Sequence, residues 1–219
     1  MATKKIKITK EYIINQYMNY KLEHNEIPQS VHAFAKANGM TESDFYKFFG
    51  AMEAIEKEIY LTFLNNTIEM IETDTNYSSY DTKTKLLSFY FTFFELLTAN
   101  RSYVKLSLNN YKNQLKNILQ LSSLHQEFKK YIASIVTEDF LLKQEKVQDF
   151  QQKAIQEAAW IQLLLTLKFW LDDDSASFEK TDIYIEKSVK LSFELINIAP
   201  IESLIDFGKF IFKEKINRQ

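Results

Sequence analysis

The sequence predicts an all-α fold. Three Gly and two Pro in 219 residues are too few to supply the turns of a β-rich chain. Apolar residues recur at three- and four-residue spacing along most of the length, and Ser or Thr residues of the N-cap type stand just ahead of several of these runs. With 46% hydrophobic and 26% charged residues, the chain can bury a real core.

Each element has its own warrant. Thr9 is an N-cap for a first helix that runs to about His24, with Tyr12, Ile13, Tyr17 and Tyr20 along one side. Asn25-Glu26-Ile27-Pro28 breaks it. Ser30 caps a second helix carrying Val31, Phe34 and Ala35 and ending at Gly39. Thr41 caps a third, and Asp44 at its N3 position completes a capping-box pattern. A fourth runs from about Met52 to Glu72, with Ile55, Ile59, Phe63 and Met70 on one face. Thr73 to Ser79 is polar and reads as a loop. Further helices are expected at 82–99, 101–120, 123–143, 147–171, 180–197 and 201–217, separated at Asn100, Leu121-Ser122, Lys143-Gln144, Asp172–Ser177 and Ala199-Pro200.

Composition excludes several classes of function. There is no Cys, hence no disulfide, thiolate nucleophile or Cys-ligated zinc, which suits a reducing cytoplasm. No apolar segment follows the basic start Met1–Lys5, so no signal peptide is expected. The greasiest stretch, Trp160–Leu171, is too short to span a bilayer and contains Gln162 and Lys168. Net charge is −2, and the first sixty residues hold eight Lys against eight acids, so charge exerts no general pull toward nucleic acid. There is no phosphate-binding Gly-rich loop, nucleophile elbow or zinc signature, and the chain is read as a non-enzyme with no cofactor. His24, His32 and His125 lack ligand spacing. Asp172-Asp173-Asp174 cannot converge on one cation without an unusual turn, so its expected role is to stop a helix.

The segment from Ser30 to Phe49 reads as helix, glycine turn, helix, the architecture of a helix-turn-helix DNA reader. Within it, Phe34-Ala35-Lys36-Ala37-Asn38-Gly39-Met40-Thr41 followed by Phe45-Tyr46-Lys47-Phe48-Phe49 resembles the TetR family of bacterial repressors. Glu53-Ala54-Ile55 is similar to the opening of that family's fourth helix. The resemblance covers about sixty residues. It implies a homodimer with an N-terminal three-helix DNA-binding domain at residues 1–52. A helical ligand-binding and dimerisation domain would fill 53–219. Implied partners are double-stranded operator DNA and a hydrophobic small molecule or lipid. Candidate DNA contacts are Lys36, Thr41, Ser43, Tyr46 and Lys47, with Lys4, Lys5 and Lys7 as a basic arm. Two stretches depart from the pattern. The recognition helix opens Glu42-Ser43-Asp44 rather than with a basic residue and glycine, and Met52 stands where a phosphate-contacting Lys is common.

A second, shorter resemblance, over Phe169–Thr181, is to the TetR-fold lipid-binding accessory protein of ubiquinone biosynthesis. It implies an alternative: the same fold handling lipid without DNA contacts.

Leu86–Leu97 is apolar nearly all round and is expected to be buried on several sides as a central core helix. Its functional reading places Phe89, Phe93 and Tyr103, with Trp160 and Leu164 opposite, around an apolar ligand pocket. In the last helix, Ile201, Leu204, Ile205, Gly208, Ile211 and Phe212 form a stripe about 120° wide. Phe210 falls on the polar side, where packing is favoured over contact with a membrane surface.

Overall fold

The computed structural model describes residues 7–108, 119–137 and 145–198. Among them the regular structure is helical: α1 (Lys10–His24), α2 (Val31–Ala37), α3 (Glu42–Tyr46), α4 (Met52–Glu72), α5 (Thr82–Ala99), α6 (Arg101–Leu108), α7 (Ser122–Ile135), α8 (Glu145–Asp172) and α9 (Glu179–Ile198), with short 3₁₀ turns at Tyr77–Ser79 and Ala176–Phe178. The expected final helix at 201–217 and the arm residues Lys4 and Lys5 lie outside the described residues. No helix among the described residues is long and apolar enough to cross a membrane.

Local chemistry sets the boundaries of the first three helices. Thr9 Oγ1 accepts from the Tyr12 amide at 3.1 Å, and Asn25 ends α1 in the left-handed region (φ 56°), its N–H bonded to the Lys21 carbonyl. Ser30 Oγ accepts from the Ala33 amide at 3.1 Å. Gly39, at φ +65°, reverses the chain between α2 and α3 in a conformation that favours glycine. Thr41 and Asp44 form the full capping box of α3.

Two expectations need correcting. Met70 is 50% exposed, while Thr67 and Ile71 are buried. The apolar face of α4 runs through Ile55, Ile59, Phe63, Thr67 and Ile71, and each i+4 step turns it by about 40°. By its end, the face has rotated past Met70. The helix expected over 123–143 ends at Ile135. There the Thr82 hydroxyl donates to the Ile135 carbonyl at 2.8 Å, and the β-branched run Ile135-Val136-Thr137 disfavours continuation.

The chain forms two compact units, Met1–Ile68 with Phe93–Glu127 and Glu69–Thr92 with Phe128–Gln219. In the first, Phe34 is the hub of the three-helix head, edge-on to Tyr17 at 6.4 Å and to Phe45 at 6.2 Å. Ile13, Met40, Phe49 and Met52 are buried with it. In the second, Phe89 packs on Phe128 at 5.2 Å and Tyr131 at 4.8 Å, and Phe128 reaches Trp160 at 6.3 Å. α8 packs on α9, where the Gln162 side chain bridges Ser188 and Ser192.

Candidate functional site

The head carries all five candidate DNA contacts on α2, α3 and the turn around them. Lys36, Thr41, Ser43, Tyr46 and Lys47 are each exposed. Tyr46 is 52% exposed although its ring meets the buried Phe45 edge-on at 5.5 Å, so the side chain is anchored at one side and open at the other. Tyr12 Oη donates to the Asn38 carbonyl at 3.0 Å and ties α1 to the turn.

The two acids in α3 are both engaged. Asp44 Oδ1 accepts from Lys47 Nζ at 2.7 Å, and Oδ2 accepts from the Thr41 hydroxyl at 2.7 Å and its amide at 3.2 Å. The hydrogen bond from Lys47, and after it those from Thr41, hold the Asp44 carboxyl well below its ordinary range. Glu42 Oε1 lies 2.7 Å from His32 Nδ1 on α2. Met52 is buried beneath the head and serves the core.

The five candidate pocket residues fall in different surroundings. Phe89 and Trp160 belong to the aromatic core of the second unit, joined through Phe128, and Leu164 there is half-buried. Phe93 and Tyr103 are buried in the first unit. Tyr103 lines a cleft of about 550 Å³ with Met18 and Leu22 of α1 and Thr98 at the end of α5. Its hydroxyl is buried without a hydrogen-bond partner among the described residues, and burial pushes its pKa up.

A buried polar cluster lies beside it. Glu56, 1% exposed, accepts from Tyr17 Oη at 3.0 Å, from Lys21 Nζ, and from Gln120 Nε2 at 2.7 Å. Burial, then the neighbouring Glu56 charge, raises the Tyr17 pKa. Lys21 Nζ also lies 5.6 Å from the Tyr103 ring centroid. The sequence does hold a signal for this cluster. Lys21 continues the i, i+4 series of Ile13 and Tyr17, and Glu56 stands four residues from both Met52 and Tyr60. A charge inside an apolar stripe is a buried charge that needs a partner.

The second unit presents an apolar face. On α8, Ala154, Ala158, Ile161 and Leu165 are exposed and share one stripe, with Ile161 at 56% and Leu165 at 52%. On α9, Ile183, Leu191 and Leu195 are likewise exposed.

The family described as "Tetracyclin repressor-like, C-terminal domain" matches residues 85–211. The chain belongs to the TetR family. In fold it is similar to the fatty acid degradation regulator FadR from Bacillus halodurans, with a TM-score of 0.54 and 16% identity, over 86% of this chain and 96% of that one. No curated protein matches the sequence.

For a TetR-type transcriptional regulator, the departures noted in the sequence acquire local explanations. Asp44 builds the capping box that starts α3, and Met52 fills the core under it. The Asp/Ser turn behind the second resemblance is also explained locally. Asp173 accepts from the Ser175 amide and hydroxyl at 2.9 and 2.7 Å and from the Thr181 amide and hydroxyl at 3.0 and 2.7 Å. It ties the turn to the first residues of α9. Burial pushes its carboxyl up, but the bonds from Thr181 and Ser175 outweigh this and bring it down to about 2. No group of three or more metal-ligating side chains occurs among the described residues.

Proposed function

We propose that this TetR-type regulator represses transcription as a cytoplasmic homodimer, binding a pseudo-palindromic operator through residues 30–49 and releasing it when a hydrophobic small molecule binds. Residues 1–52 act as the reader and 53–219 as the ligand-binding and dimerisation domain. The observation that carries this reading is the constructed head. A full capping box, a left-handed glycine turn and an aromatic hub build it, and Lys36, Thr41, Ser43, Tyr46 and Lys47 are each exposed on it. The Lys47 ammonium offsets the Asp44 charge, which lowers the opposition of α3 to a phosphate backbone.

The exposed apolar stripe of α8 supports a dimer, and exposed Ile183, Leu191 and Leu195 on α9 add to it. Apolar surface of this kind marks an interface, and a C2 pair buries the same patch on both copies. Two readers at fixed spacing then match two half-sites about one helical turn apart. Of the five pocket candidates, Phe89, Trp160 and Leu164 share the second unit and are the proposed apolar lining for the ligand. The similar fold of a fatty acid degradation regulator makes long-chain fatty acids the first ligands to test. The lipid-handling alternative draws no support from the Asp173 turn, whose polar groups are spent on starting α9.

Fluorescence anisotropy with DNA flanking the protein's own gene tests the proposal. Sequence-selective binding that weakens with salt and is reversed by oleate supports it. Absence of selective binding at low ionic strength refutes it.

A further inference from the structure

The cleft at the C-terminal end of α1, open to solvent on one side, spans about 830 Å³ and is lined from α1, α4, α6 and Gln120. Glu56, which borders it, is saturated: Oε1 takes the Tyr17 and Lys21 bonds, and Oε2 takes the Gln120 bond. The last contact fixes the amide, because Nε2 must face the carboxylate. Gln120 Oε1 is therefore left as an acceptor with no hydrogen-bond partner, although Gln120 is only 6% exposed. Buried acceptors of this kind are rare in folded proteins. Lys21 Nζ has three N–H donors, and Glu56 is its hydrogen-bond acceptor among the described residues.

A hydroxyl group matches both open valences, donating to Gln120 Oε1 while accepting from Lys21 Nζ. The lining charges cancel, Lys21 and Lys105 against Glu26 and Glu56, so the cleft favours no net charge on its occupant. Ser102, Asn25 and Lys105 are exposed lining residues that supply further donors and acceptors. The volume far exceeds the roughly 30 Å³ of one water. We propose that this cleft binds a small, neutral, polyhydroxylated molecule, one hydroxyl of which bridges Lys21 Nζ and Gln120 Oε1. The site adjoins the cleft lined by Tyr103, sharing Ser102 with it, and does not depend on DNA binding.

Saturation-transfer NMR on the full chain, with glycerol, myo-inositol and D-glucose as probes, tests it. At least one probe shows transfer, and Gln120→Met, which keeps the side-chain length but removes the acceptor together with the Nε2 bond to Glu56, weakens its affinity at least about tenfold, the worth of one hydrogen bond. Ser102→Trp, placed on an exposed position away from the buried cluster, abolishes transfer without changing the thermal midpoint. Absence of transfer from all three probes, meaning that ordered water alone fills the open valences, overturns the proposal. So does transfer that is equal in the wild type and Ser102→Trp.

Discussion

Replacing Glu56 with glutamine keeps the shape of the side chain and removes its charge. The wild-type carboxylate takes three hydrogen bonds, and its partner Lys21 is buried in the same cluster. The substitution leaves an ammonium without its counter-charge. It also turns an amide N–H toward one of the groups that formerly donated to a carboxylate oxygen. Breaking a buried pair from one side costs about 3–5 kcal/mol, against a total stability of about 5–15 kcal/mol for a folded domain. For a chain of this length the expected fall in thermal midpoint is about 10 °C. Circular dichroism melts at fixed protein concentration measure it, since dimerisation makes the midpoint concentration-dependent. The double variant Lys21→Met/Glu56→Leu should recover much of the loss, because apolar groups of similar volume often replace a buried pair without penalty. A loss below about 1 kcal/mol for Glu56→Gln, the value of an exposed pair, would refute the reasoning that this cluster is buried and mutually dependent.

Three further outcomes are expected. Asp173→Ala should cost about 2–3 kcal/mol, because buried Thr181 loses its partner and the turn before α9 is released. With the Asp173 pKa lowered from 3.8 to about 2, its contribution is fully present above the ordinary value and is lost as pH falls from there toward 2, which acid titration of the two proteins would reveal. Leu165→Glu should convert the dimer to a monomer in light scattering coupled to size exclusion, with helicity unchanged. Lys47→Ala should weaken operator binding more than Lys36→Ala does, since it removes a cation and also frees the Asp44 charge; salt-titrated anisotropy should show the log–log slope reduced by about 1 per protomer.

Much of the fold was legible because its signals are local. Thr9, Ser30 and Thr41 cap the helices they precede, Gly39 turns the chain, and the bounds expected for α4 and α5 agree with the structure. What escaped the sequence depends on distant partners or on accumulated rotation. Nothing near Ile135 announces the hydroxyl of Thr82 that meets its carbonyl from 53 positions away. Met70 was misplaced because a face assigned from the first turns of α4 was carried forward without its drift. Asp173 lies between two similar aspartates, and only the fold selects it for burial while Asp172 and Asp174 stay exposed. Lys21 and Glu56 were legible singly, as charges within apolar stripes. Their pairing, and the role of Gln120 with them, required three segments to come together.

The most direct test of the account is anisotropy of the full chain on DNA flanking its own gene, titrated with salt beside a scrambled duplex of equal length. The expected result is binding that prefers the flanking DNA, weakens steeply with salt and is weaker, with a shallower salt slope, in Lys47→Ala. Equal affinity for both duplexes, or no binding at low salt, would contradict it.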